Sequence, residues 1–228
     1  IAARRTLALV GPSAAGKTSL AEALLWKAGV VGAPGSVEKG NTVSDFDPLE
    51  KRSLRSLNTS LLHFEHRGIH THLVDTPGAP DFLGQSLPAL EAVESAAIVI
   101  NAATGIEPMA VRMMEWAKQR QRDRIIVVNK IDTQGADLAA LVAQIQAAFG
   151  RECLPVNLPS QRGERVVDCF WRLQDDGPPP DVRIRQSPSP VMVLWRRVAS
   201  WLSPTPIDTA LPIARHWSLQ VISNFSLK

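Results

Sequence analysis

The run Gly11-Pro-Ser-Ala-Ala-Gly-Lys-Thr18 constrains this chain more than any other feature. The apolar segment Thr6–Val10 precedes it, and apolar residues at Leu20, Ala21, Leu24 and Leu25 follow at helical spacing. It fits GxxxxGK[ST] in the strand-then-helix setting that gives the pattern meaning. The glycines allow a tight turn, so that backbone N–H groups and a helix N-terminus surround phosphate oxygens. Gly11, Pro12, Ser13, Ala14, Ala15, Gly16, Lys17 and Thr18 are therefore all assigned to a phosphate site. Lys17 would neutralise β- and γ-phosphate charge, and Thr18 would offer its hydroxyl to Mg²⁺.

Strand-like and helix-like segments alternate through the first two-thirds of the chain. A polar stretch from Gly29 to about Leu57 shows little periodicity and is expected to be mobile. Ser60–Glu65 and Ile69–Val74 flank Arg67-Gly68 and predict a hairpin. Helices are expected over Leu83–Val93, Pro108–Arg120 and Ala136–Phe149, the last closed by Gly150. Buried strands are expected at Ala97–Asn101 and Arg124–Val128. This order implies an α/β fold, a mostly parallel sheet with helices on both faces.

Two further motifs sit where strands end. Asp75-Thr76-Pro77-Gly78 follows Leu73-Val74, so Asp75 points into the crevice where α/β folds bind ligands. It can hold Mg²⁺ while the Gly78 amide reports on a γ-phosphate. Asn129-Lys130-Ile131-Asp132 follows Ile125–Val128. Guanine presents two adjacent donors that an Asp132 carboxylate would accept, whereas adenine would leave that charge unpaired. Asn129 would brace the loop and the Lys130 stem would cover the base. Each motif alone has a plain alternative, a β-turn for the first and a helix N-cap for the second. Their order, each after a strand, favours GTP and GDP over adenine nucleotides.

The composition changes near residue 172. Eight of the 17 prolines and four of the six tryptophans lie in Trp171–Lys228, and no glutamate follows Glu164. Residues 1–171 are thus expected to form a GTP-binding domain, incomplete at its end, and 172–228 an irregular C-terminal extension of uncertain fold. The change fits an exposed Pro-rich tail with a small helix, or a stretch read out of its original frame. Ile1 in place of Met is expected of a processed, trimmed or incomplete product. No apolar run is long enough to span a bilayer, a formal charge of +3 is mild, and no secretory signal opens the chain. Cys153 and Cys169 form no metal-binding spacing and are expected to be reduced thiols in the cytoplasm.

Over residues 5–170 the chain resembles the translational GTPases, above all elongation factor G and its elongation-factor-G-like paralogues. Asp45-Phe-Asp-Pro-Leu-Glu-Lys51 with Asn58-Thr-Ser60 resembles their first switch region, and Asp75-Thr-Pro-Gly-Ala-Pro-Asp-Phe82 their second. Ala103-Thr-Gly-Ile-Glu-Pro108 resembles the loop after their fourth strand. The resemblance implies a P-loop GTPase G domain that docks on ribosomal RNA and protein, with no membrane or DNA partner. It places Ser56 where the family carries a Mg²⁺-contacting threonine, so the implied metal ligands are Thr18, Ser56 and Asp75.

At Ala79 elongation factor G has the histidine that positions attacking water. A methyl group can neither orient nor deprotonate water, so no catalytic residue is assigned and slow hydrolysis with intact nucleotide binding is expected. The paralogues also vary there. Nothing after residue 172 resembles the family's further domains or its last guanine-contacting loop. A closing strand and helix of the sheet are accordingly expected to be absent, and translocation by this chain alone is not expected. Two other readings stand beside hydrolysis: a non-catalytic module whose switches are ordered by GTP, and a truncated product without activity.

His63, Glu65, His70 and His72 share one face of the expected hairpin, where strand pairing explains them better than zinc does. Arg112, Arg120, Arg122 and Arg124 are read as a solvated helix end rather than a nucleic-acid patch.

Overall fold

The computed structural model describes residues 3–66, 68–151, 153–155, 157–160, 165–168 and 191–195. The first strand, β1 (Ala3–Val10), runs into the glycine-rich loop and then α1 (Lys17–Lys27). A short helix α2 (Pro48–Ser53) precedes the hairpin β2 (Ser60–His66) and β3 (Ile69–Asp75). A 3₁₀ turn at Pro80–Phe82 leads into α3 (Leu83–Glu91). Next come β4 (Ser95–Asn101), α4 (Pro108–Gln119), β5 (Asp123–Asn129) and α5 (Leu138–Phe149). The remaining strands are β6 (Cys153–Pro155), β7 (Asn157–Ser160), β8 (Arg165–Asp168) and β9 (Val191–Trp195).

Seven strands form one sheet in the order β2-β3-β1-β4-β5-β9-β6, and β7 pairs with β8 separately. Every neighbour in the large sheet is parallel except the β2–β3 hairpin. Alternate residues of β1, β4 and β5 feed two cores. Ala8, Val10, Ile98, Ile100, Ile126 and Val128 pack with α3, α4 and α5, whereas Leu7, Leu9, Ala97, Val99, Ile125 and Val127 pack with α1. Strands buried on both faces must be apolar throughout, which accounts for the unbroken runs at Ala96–Ile100 and Ile125–Val128.

The sequence expectations meet these elements within a few residues, with two exceptions. The stretch from Gly29 to Leu57 contains α2, started by a capping box. Asp47 Oδ1 accepts from Leu49 N, and Glu50 Oε2 accepts from Asp47 N. Nor does the sheet stop at β5. The backbone of Val191–Trp195, from the stretch assigned to the tail, forms β9 between β5 and β6. Val191–Trp195, in the tail for which a small helix was one of the two readings, forms a strand; 196–228 and Cys169 lie outside the described residues.

In the hairpin His63 pairs with His72 and Glu65 with His70, on one face as expected. The rings of His63 and His70 stack at 5.7 Å, and those of His70 and His72 meet edge-on at 4.8 Å. Among the described residues no group of three or more His, Cys, Asp or Glu is placed to hold a metal ion. Arg120 pairs with Glu91 at 2.9 Å and Arg122 donates to the Glu91 carbonyl at 3.0 Å, so both are engaged within the chain.

Candidate nucleotide site

The three motifs converge at the C-terminal ends of β1, β3 and β5. Gly16 has φ +92°, and a Cβ there would run into the Asn129 amide nitrogen. That amide donates to the Ala15 carbonyl at 2.9 Å, across 114 residues of sequence. Asn129 thus braces the phosphate loop as well as its own. Lys130 takes the left-handed conformation at φ +60°, turning the chain so that Asp132 is exposed at the loop's tip. In the phosphate loop Ser13 and Ala14 are exposed, while Gly11, Pro12 and Ala15 are buried.

Lys17 lies at the centre. Its ammonium donates to the carbonyls of Gly11 at 3.0 Å and Pro12 at 2.8 Å. Burial lowers its pKa to about 8, against the opposing pull of Asp75, Asp45 and Glu107. Gly78 packs directly on it: a Cβ at Gly78 would collide with the Lys17 ammonium and sit 2.5 Å from Pro12 C and Ser13 N. Behind this contact the buried Thr76 hydroxyl donates to Leu9 O at 2.8 Å, and Ser86 donates to Pro77 O at 2.8 Å. The Asp75–Gly78 segment is therefore anchored to β1 and to α3.

Thr18 Oγ1 donates to Asp75 Oδ2 at 2.8 Å and lies 3.1 Å from Ser56 Oγ. The three expected metal ligands are thus side by side. Burial raises the Asp75 pKa to about 6, opposed by Lys17 and the Thr18 hydroxyl. Asp75 Oδ1, Asp45 Oδ2, Ser44 Oγ and Thr42 Oγ1 are buried without a hydrogen-bond partner. Ser44 is near enough to pull the Asp75 pKa down yet lies outside hydrogen-bonding geometry. Burial likewise raises the Asp45 pKa, opposed by the Ser56 hydroxyl. Unpaired buried oxygens are costly. A set made only of hydroxyl and carboxylate oxygens suits a hard divalent cation of the Mg²⁺ type.

Ser44 is missing from the residues the motifs single out, and Asp45 and Glu50 enter only as part of the Asp45–Lys51 run that resembles a first switch region, with no role of their own. Ser44 carried no spacing signal. Glu50 did, because Asp47-Pro-Leu-Glu50 has the order of a capping box. Its Oε1 also accepts from Leu57 N and Asn58 N, both at 2.9 Å, and so positions Ser56. Ala79 is buried, with extended backbone at φ -76° and ψ 139° ahead of the 3₁₀ turn.

The family described as the elongation factor Tu GTP-binding domain matches residues 2–214. The chain belongs to this family. As a G domain of the translational GTPases it is 40% identical, over 159 residues, to an elongation factor G-like protein of Mycobacterium tuberculosis. That match covers 70% of this chain and 22% of the relative. Peptide chain release factor 3 of Symbiobacterium thermophilum is 36% identical over 174 residues, covering 74% of this chain and 33% of the relative. A solved protein from Thermus thermophilus superposes with a TM-score of 0.69 at 35% identity, over 74% of this chain and 26% of that one. A bacterial selenocysteine-specific elongation factor, at 21% identity and a TM-score of 0.53, shares the fold over 64% of this chain and 23% of its own. The G domain therefore spans between about a fifth and a third of the relatives it matches. Membership of a GTP-binding family carries guanine-nucleotide binding with it. Among the described residues no helix is long and apolar enough to cross a membrane.

Proposed function

We propose that the chain binds GTP and GDP with Mg²⁺ at Gly11–Thr18, Asp75–Gly78 and Asn129–Asp132, and works in the cytoplasm as the nucleotide-dependent part of a ribosome-associated factor. The observation that carries this reading is the Asn129–Ala15 hydrogen bond, which joins the base-reading loop to the phosphate loop. The amides of Ser13 to Lys17 would receive the β-phosphate, and Lys17 would exchange its two carbonyl partners for phosphate oxygens. Thr18, Ser56 and Asp75 would hold Mg²⁺, which when bound offsets charge on the phosphates. Asp132 would accept the two guanine donors at the loop tip.

Binding and hydrolysis separate at Ala79. The proposed nucleotide-holding residues carry the polar and charged groups that binding needs, whereas the methyl group of a buried Ala79 supplies no polar atom for an attacking water. The expected behaviour is firm guanine-nucleotide binding with slow turnover. Switch segments ordered by GTP would then dock a partner, and the buried Ala79 favours this non-catalytic module as the second reading.

Single-turnover GTP hydrolysis, with and without ribosomes, tests the proposal. Wild type is expected to bind GTP and hydrolyse it slowly, with Ala79→His faster by roughly a hundredfold, the lower end of what one positioned acid–base group supplies. Rapid ribosome-stimulated hydrolysis, unchanged by Ala79→His, refutes the role given to position 79. Absence of guanine-nucleotide binding by wild type refutes the site itself.

A further inference from the structure

We infer that Glu22 is a positioning residue for nucleotide retention: its buried carboxylate clamps both ends of the loop 35–43, and that loop keeps a bound guanine nucleotide in its site. The inference rests on the nucleotide-site reading above. Glu22 lies on the inner side of α1, one turn after Thr18, and is 1% exposed. Its Oε2 accepts from Gly35 N at 2.8 Å and its Oε1 from Val43 N, so one carboxylate joins two points eight residues apart. A carboxylate taken into a protein interior needs such donors, and each charged hydrogen bond is stronger than a neutral one.

The clamped loop is closed on itself. Ser36 N donates to Asn41 Oδ1 at 2.8 Å, Gly40 N to Val37 O at 3.0 Å, and Lys39 N to Ser36 O at 3.2 Å. At the neck the strands of the loop nearly touch, since a Cβ on Gly35 would meet Asn41 O at 2.6 Å and Thr42 Cα at 2.8 Å.

The loop's end at Val43 adjoins the cation side of the nucleotide site. Immediately past Val43, the Ser44 carbonyl accepts from Ser60 Oγ at 2.7 Å, and buried Asp45 feels the charges of Lys17 and Glu50. At the tip the Glu38 carboxyl is held below the usual range by the Ser36 hydroxyl and its own backbone, with Lys130 of the base-reading loop contributing. The end of the loop at Val43 therefore leads straight into the cation side of the site, and Glu22, one turn from Thr18, ties that neck to α1. Freed at the neck, the segment entering Ser44 and Asp45 would move away from Thr18 and Asp75, opening a path for the nucleotide to leave.

The test is release of N-methylanthraniloyl-GDP in Mg²⁺, chased with unlabelled GDP, from the full chain and from Glu22→Gln and Gly35→Ala. Glutamine keeps the side-chain length but turns an amide against a backbone N–H. Gly35→Ala forces the neck apart from outside the α1 core, so it decides the matter if Glu22→Gln does not fold. Both variants are expected to release the nucleotide about tenfold faster, the effect of losing one charged hydrogen bond. Amide hydrogen exchange over 35–43 should rise in parallel. Wild-type release rates in the folded variants overturn the inference, whether or not exchange rises. Wild type that fails to bind the labelled GDP at all refutes the nucleotide site instead.

Discussion

Asp75 carries two demands that conflict in the protein without ligand. Its carboxylate must be ionised to hold a cation, yet it is buried, with one oxygen bonded to Thr18 and the other unpaired. Burial raises its pKa to about 6, so between about pH 4 and pH 6 the folded state binds a proton that the unfolded chain releases. The contribution of this group to stability is then fully present below the unfolded pKa and is lost as pH rises through 6. Lys17, lowered to about 8, stays protonated across that window and does not mask the effect. Nucleotide-free protein in EDTA is therefore expected to lose stability from pH 4.5 to 6.5, by roughly 3 kcal/mol at most for a shift of this size. Asp75→Asn should flatten the slope. Urea midpoints at the two pH values check it, and parallel slopes in wild type and variant would refute the assignment.

Among elements, legibility followed how local the cause was. The strands β1, β4 and β5 and the helices α1, α4 and α5 are visible in the sequence because burial on both sheet faces imposes apolar runs and amphipathic spacing. The convergence of Lys17, Asp75 and Asn129 in one candidate site is visible because motif spacing expresses strand-end geometry. By contrast β9 was hidden. Val191–Trp195 looks like any short apolar run, and only its distant partners at Ile125–Val128 and Cys153–Pro155 make it a strand. The helix α2 was hidden differently, since six residues generate almost no periodicity and only the capping box marks it. Its stability depends on one carboxylate. Glu50 accepts from Asp47 N, Leu57 N and Asn58 N, and is 1% exposed. Glu50→Ala is expected to cost about 2–3 kcal/mol by stranding those donors, and to release Ser56 from Thr18. Urea denaturation reads the first effect, and a weakened Mg²⁺ dependence of GDP binding reads the second. A loss below about 1 kcal/mol would show that water replaces the carboxylate without cost.

At the scale of the molecule, the parallel sheet holds the two halves of the site at a set distance. The glycine-rich loop hangs from β1 and the loop proposed to read the base from β5, with β4 between them. Asn129 spans that gap by donating to Ala15 O, and a bound nucleotide would span it a second time. A ligand that bridges two strand ends binds only the folded state, so its binding energy adds to stability by mass action. GDP with Mg²⁺ at a hundred times its dissociation constant should add about 2.7 kcal/mol, which for a domain of this size raises the melting temperature by roughly 5–10 °C. ATP at the same concentration should add little, because Asp132 would face adenine without a matching donor pair. Asn129→Ala separates bracing from binding. It leaves a buried carbonyl unpaired, so the free protein should melt earlier, and it also slackens the connection on which the bridge depends. The variant is therefore expected to lose most of the GDP-induced rise in addition to its lower baseline. A variant that melts early but keeps the full wild-type rise would mean that the two loops bind their ligand groups independently and that the sheet alone sets their spacing.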